Sequence, residues 1–536
     1  MKKVKKLTAL FLSFTLAASL LAGCSGNKSN TPVEGGDNTG STDSYTYTGA
    51  GPITDKEGAQ LSILATNSWY STVDLTSNDA LIVKEVEKRA GVTVDWTMID
   101  PTTYTDAVSP MLASGSDLQD IVYLPDLDLN SSYINSGLFE PLDEHFDSMP
   151  NYKAFLDANP TIKASLTAED GHIYYVPIVG LTDNYLPNVM YNVKWLEQLS
   201  MEQPKTLDEL VTVLRAFRDN DMNGNGDTTD EIPMSIESKQ LPFMFGPAFG
   251  LDLVNGFYAD DNGTVHYSYY ESENYKEYLS FLNSLYEEGL LEVEYTSLTR
   301  DQITERFAQN LTGVTFDFSW QMSQLYSKQF PEYDGTTGII VGGEPLSGNY
   351  PGAYTGGNPV KGIFGVTKAG KNLELAVRFL DFAVSEECQD LYVWGIEGES
   401  YVVNADNSKS FTEKALTDNL WLQGLGINPP CLPFRNSIPA TNVLLPQWHV
   451  EVDTKLATMT KPSWPQIYAT SEETSTLSQY LVDIQTYVEQ MAVAFISGNT
   501  SLNEFDSYIS TLKNMNVEEI IKIKQAQYDR FSSALK

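Results

Sequence analysis

From Ala59 onward the chain alternates short apolar runs with amphipathic stretches, and this alternation limits the fold more than any single residue does. Gln60–Thr66 (QLSILAT) and residues 92–99 (VTVDWTMI), 120–124 (DIVYL), 314–320 (VTFDFSW) and 361–367 read as strands, because β-branched and aromatic residues suit a pleated, half-buried surface. Residues 79–90 place Ile82, Val83, Val86 and Ala90 at helical spacing. Residues 206–219 carry a start signal: Thr206 caps, Glu209 completes a capping box, and Leu207, Leu210, Val211, Leu214 and Phe217 line one face. Residues 373–384, 477–496 and 517–531 read as further helices. Strand–helix alternation over 536 residues predicts α/β domains with mainly parallel sheets, two or three of them on ordinary domain sizes. No internal repeat is visible.

Before that region lies a leader. Lys2, Lys3, Lys5 and Lys6 precede an apolar run from Leu7 to Leu21, which is shorter than the ~20 residues that span a bilayer. A charged start, a short apolar stretch and small residues before a cut make a secretory signal over residues 1–23. Leu-Ala-Gly followed by Cys24 resembles the lipobox of bacterial lipoproteins, which implies a lipidated Cys24. Anchoring of that kind needs more than one acyl chain, each CH₂ contributing roughly 0.8 kcal/mol. Residues 24–58, rich in Ser, Thr, Asn and Gly, then read as the lipidated cysteine and a flexible tether. The chain carries a net charge of −37, and a leader holding four Lys and no acid brings the remainder to −41. Such a surface repels nucleic acid and anionic headgroups. Membrane contact is therefore expected through the lipid alone. The two other cysteines, Cys388 and Cys431, lack a motif spacing and read as buried small hydrophobes, with a disulfide as the alternative.

Residues 221–231 read Asp-Met-Asn-Gly-Asn-Gly-Asp-Thr-Thr-Asp-Glu. Oxygen ligands at positions one, three and five (Asp221, Asn223, Asn225), Gly226 at six and the carbonyl of Asp227 at seven match the first half of a calcium loop. Asp230 and Glu231 supply the closing carboxylates earlier than the usual position twelve. Ile232-Pro233 then forbids an immediate second helix. The expectation is a structural Ca²⁺ site that follows one helix and leads into a strand.

Signs of catalysis are missing. His145, His172, His266 and His449 stand in no ligand spacing, and no GxSxG elbow occurs. Gly365–Lys371 has Asn372 where a phosphate-binding loop needs Ser or Thr. A glycosidase needs only two carboxylates, so a surface glycoside hydrolase stays open as an alternative from another class.

Several segments resemble the family 1 extracellular solute-binding proteins of ABC importers: residues 111–121 (MLASGSDLQDI), 137–143 (GLFEPLD), 171–177 (GHIYYVP), and 195–199 (WLEQL) followed by 204–209 (PKTLDE). The loop ending Asp230-Glu231-Ile232-Pro233, with 394–401 (WGIEGESY) and 495–498 (FISG), is similar to a large lipoprotein subgroup that includes alginate-oligosaccharide binders. The resemblance implies a two-lobed periplasmic-binding-protein-like fold of type II, hinged, with lobe 1 near 59–180 and 355–430 and lobe 2 near 181–354 and 431–536. It implies a monomer at the extracellular face of a Gram-positive cell membrane, without catalysis. Such a protein delivers an oligosaccharide to permease subunits driven by a separate ATPase; a peptide or other solute is the alternative cargo. Relatives often carry a basic residue where Asn192 stands and an acid where Lys194 stands, so the ligand may not carry over unchanged. Sugar sites pair flat aromatics with a few hydrogen-bonding groups, placed beyond the carboxyl ends of strands. That logic selects Asn67, Trp69 and Tyr70 after the first strand, and Trp320 after another. Tyr354 in a Gly-rich stretch, Arg435, Trp448 and Trp464 complete the expected ligand set.

Overall fold

The structure, a computed structural model, describes residues 45–67, 74–116, 118–125, 133–134, 136–180, 186–321, 339–340 and 342–535. The signal segment, Cys24, Trp69 and Tyr70 lie outside them. The strands of its two main sheets are β1 (Gln60–Thr66), β2 (Thr93–Ile99), β3 (Ile121–Leu124), β4 (Tyr175–Val179), β5 (Pro187–Asn192), β6 (Ile232–Met234), β7 (Thr312–Phe318), β8 (Ile339–Ile340) and β9 (Val360–Val366). Sheet 1, of lobe 1, runs β2-β1-β3-β9-β4; sheet 2, of lobe 2, runs β8-β5-β7-β6.

Strand direction follows from where the chain comes from. In sheet 1, β1 is parallel to β2 and β3, but β9 runs antiparallel to β3 and β4. In sheet 2, β5 is antiparallel to β7 and β8, and only β6 pairs with β7 in parallel. The sheets are thus mixed, where mainly parallel sheets were expected. A strand arriving from the other lobe must run away from the crossing, and β5 and β9 both arrive that way. The carboxyl ends of β1, β3 and β4 therefore share one edge of sheet 1. Those of β6 and β7 lie at the edge of sheet 2 where β5 begins. Both edges adjoin the crossings.

Helices cover the sheets. Leu207–Asp219 starts where Thr206 Oγ1 accepts from Glu209 N at 3.1 Å. The Glu209 carboxylate accepts from Lys205 N at 2.7 Å, one residue before the cap, so the expected box is shifted. Leu207, Leu210, Val213, Leu214 and Phe217 are buried, and Phe217 meets Trp195 edge to face at 5.2 Å. The long helix Ser471–Ile496 and the helices Phe505–Asn514 and Val517–Ala534 belong to lobe 2: Ile484, Phe495, Tyr508 and Ile520 share one core with Leu210, Phe245, Leu282 and Phe316. Among the described residues no helix is long and apolar enough to cross a membrane.

Two expected boundaries move. Residues 46–58 are not tether but a strap packed on lobe 1, with Tyr47 and Ile53 buried. Tyr47 Oη donates to Asp381 Oδ2 at 2.9 Å, Asn151 Nδ2 donates to Gly49 O at 2.7 Å, and Ile53 N donates to Ala90 O at 2.9 Å. Two apolar side chains suffice there because three helices supply sockets and hydrogen bonds. Residues 431–436 also stay with lobe 1, since Val179 N donates to Phe434 O and Asn436 N donates to Val179 O, both at 3.0 Å. Cys388 and Cys431 are free and buried, and burial pushes the Cys388 thiol up to about 12.

Candidate functional site

The lobe 2 side of the interlobe edge holds a cavity of about 550 Å³. After β6 the chain turns through Ser238–Gln240 into the helix Leu241–Phe245, which brings Lys239 to the cavity beside Asn255, Tyr267, Tyr269, Tyr295 and Glu489. Its floor is a chain of tyrosines: Tyr267 and Tyr269 lie 5.4 Å apart, and Tyr269 meets Tyr275 edge to face at 5.3 Å. The hydroxyls of Tyr267 and Tyr295 are buried without a hydrogen-bond partner among the described residues. Asn255 is fixed by Asp252, which accepts from its N at 3.0 Å and its Nδ2 at 2.8 Å, while Asn255 Oδ1 accepts from Ser463 Oγ at 2.9 Å. Burial raises the Asp252 carboxyl above its ordinary range. Aromatic walls with few oriented polar groups, in a volume within the ~300–1,000 Å³ of small-molecule sites, suit an uncharged organic ligand.

At the carboxyl end of β7, Asp317 is buried and accepts a two-pronged ion pair from Arg300, Nε to Oδ2 at 2.8 Å and Nη2 to Oδ1 at 3.0 Å. Burial raises the Asp317 carboxyl, and Arg300 opposes that rise. The Gln321 amide oxygen, once turned to satisfy both of its polar atoms, accepts from Arg300 Nη1 at 3.0 Å. Ser319 N donates to Leu186 O at 2.8 Å. These bonds pin the one-turn helix Ser319–Gln321, which places the backbone of Trp320 at the interlobe edge.

The other sequence candidates scatter. Asn67 ends β1 at the same edge, half-buried, and its Oδ1 accepts from Leu75 N at 2.9 Å. Tyr354 does not sit at the cleft mouth. It is 1% exposed, its hydroxyl donates to Gly343 O at 2.7 Å and accepts from Val189 N at 3.2 Å, and its ring packs on Phe316. The glycines around it let the chain fold over the ring and bury it. Trp464 stacks on Tyr528 at 5.4 Å and lies 6.3 Å from Phe257, a wall of the tyrosine cavity. Trp448 is half-buried against the cluster of Met190, Leu298 and Phe307. Arg435 lies on lobe 1, over the Phe155 ring. The structure thus brings Asn67 and Trp320 to one edge and Trp464 beside the cavity. The cavity itself was missed, although the tyrosine density of residues 267–278 was a signal for it.

The acidic loop follows the helix Leu207–Asp219 and leads into β6, as expected. Asp221 Oδ1 accepts from Gly224 N at 2.7 Å and Oδ2 from Gly226 N at 2.8 Å. Gly226 takes φ +89°, a conformation that side chains oppose. Asn223 Nδ2 and Asn225 Nδ2 donate to Asp230, at 3.2 and 2.7 Å. Glu231 is buried; its Oε1 accepts from Met222 N at 2.8 Å, while Oε2 has no partner among the described residues. Asp227 accepts from Thr229 and has its carboxyl held below the ordinary range by those bonds. No cluster of three His, Cys, Asp or Glu groups poised for a metal occurs among the described residues. The loop's donor set is mixed, with amides between the acids. An orphaned buried carboxylate oxygen fits a cation there.

The profile of the bacterial extracellular solute-binding proteins matches residues 82–398. This chain belongs to that family. It is 26% identical to the fructooligosaccharide ABC transporter substrate-binding protein FusA of Streptococcus pneumoniae, over 99% of each chain. Among solved structures it resembles the alginate-binding protein AlgQ2 without calcium ion (TM-score 0.68, 23% identity, 89% of this chain and 99% of that one). It also resembles an EF-hand mutant of S. pneumoniae FusA in complex with fructo-nystose (TM-score 0.70, 24% identity, 88% and 99%). The two-lobed solute-binding fold accounts for both mixed sheets and for the edge at which their strands end.

Proposed function

We propose that this solute-binding protein captures an oligosaccharide between its lobes and hands it unaltered to the permease of an ABC importer. The observation that carries this reading is the full-length likeness to a fructooligosaccharide-binding protein. The tyrosine-lined cavity, with its rings for C–H faces and its orphaned hydroxyls, supports it. Lipidation of Cys24 holds the protein at the outer face of the membrane, and a lipoprotein, LipO of Bacillus subtilis, is among its relatives (23% identical over 73% of each chain). Ca²⁺ at residues 221–231 pins the loop between the helix and β6; the mixed oxygen set and the unpartnered Glu231 Oε2 support that site. Binding to the closed form alone shifts an existing equilibrium between open and shut lobes.

A thermal-shift screen tests the reading with kestose, fructo-nystose, alginate oligosaccharides and peptides of similar size. One oligosaccharide class should raise the melting temperature and be recovered uncut. A rise with peptides alone, or cleaved glycan, sinks it.

A further inference from the structure

Lobe 1 carries a pocket of its own. It measures about 460 Å³ and is walled by Phe155, Val179, Glu386, Trp394, Arg435 and Asn436. The residues around it come from lobe 1 and from the edge segment that pairs with β4; sheet 2 and the C-terminal helices contribute none among the described residues. Arg435 is held firmly: its backbone N donates to Gln389 Oε1 at 2.6 Å, its Nη2 donates to Val384 O at 3.4 Å, and its guanidinium lies 5.2 Å from the Phe155 ring centroid. Yet Arg435 Nε and Asn436 Oδ1 are both buried with no partner among the described residues. A buried donor and a buried acceptor on adjacent residues cost free energy unless something meets them.

Charge decides what that something is. Arg435 is offset by Glu386 at 3.8 Å, and Asp390 on the same rim is paired with Lys409 at 2.7 Å. No uncompensated charge is left to select an ion. The fitting ligand is neutral, offers an acceptor and a donor side by side, and has an apolar face for Phe155 and Trp394. Neighbouring hydroxyls on a sugar ring meet all three conditions. We infer that this pocket is a second carbohydrate subsite, which takes one neutral sugar ring on lobe 1 without help from lobe 2. The inference rests on the oligosaccharide reading of the protein. Since no wall comes from lobe 2, the pocket can be occupied while the lobes are apart.

Isothermal titration of the full-length protein with kestose and with free fructose, glucose and galactose tests it. The expected result is a tight event plus a weaker one, with the weaker affinity falling at least tenfold in Arg435→Lys and in Asn436→Ala. Arg435→Lys keeps the charge but lacks the Nε donor, and Asn436→Ala keeps the backbone pairing; thermal melts verify that each variant folds. One event only in the wild type, or a weak event unchanged in both variants, overturns the inference and leaves the oligosaccharide reading standing. A single event weakened by both variants places the pocket in the cargo's own path and overturns a separate subsite. Absence of any sugar binding removes both readings.

Discussion

Asp381 shows how one side chain can tie three segments and impose a pH dependence. It is fully buried and accepts from Tyr47 Oη, Asn151 Nδ2 and Tyr152 N. Burial nonetheless dominates, and its carboxyl is raised to about 6. A group whose pKa is higher in the folded chain binds its proton more tightly there, so it contributes stability at low pH that is lost as pH rises. The window runs from about 4, the ordinary carboxyl value, to about 6, and the loss across it is on the order of 3 kcal/mol. Urea unfolding between pH 4 and 7 should show this decline in the wild type, and a flattened profile in Asp381→Asn. An unchanged slope in the variant would assign the dependence to other carboxyls.

At the scale of elements, the acidic loop carries the clearest prediction. Chelation by EDTA should lower the melting temperature, Ca²⁺ should restore it better than Mg²⁺, and Glu231→Gln should abolish the difference. Calcium accepts six to eight oxygens in irregular shells, whereas magnesium demands an octahedron and keeps its waters. A melt that ignores EDTA retires the site. The helix Leu207–Asp219 offers a second check: Thr206→Ala removes the side-chain acceptor for Glu209 N and should cost about 1 kcal/mol in chemical denaturation. Local features of this kind were legible in the sequence. Gln60–Thr66 was read to the residue because its burial alternates, and the cap at Thr206 because its chemistry is confined to one turn. Strand direction was not legible, since β5 and β9 run as they do through the path of the chain between lobes. The burial of Tyr354 depends on Gly343 and Val189, which are distant in sequence, and flanking glycines mimicked an open loop. Arg435 was singled out for its chemistry, but its place on lobe 1 is set by pairing with Val179.

For the whole molecule, two mixed sheets whose strands end at facing borders imply a hinge, because only three stretches of chain pass between the lobes. Small-angle scattering should show the radius of gyration falling when the sugar found in the thermal screen is added to saturation. At 100 times its Kd, that sugar should also add about 2.7 kcal/mol of stability. A radius that stays constant under full occupancy would mean that capture needs no closing movement. The strap at residues 46–58 gives this motion a direction. It is clipped to the body through Tyr47, Gly49 and Ile53, so a pull on a leash from Cys24 bears on that half alone. The half carrying the tyrosine cavity is left to swing like a jaw against a fixed mount, and the importer meets a stationary partner on one side and a moving one on the other.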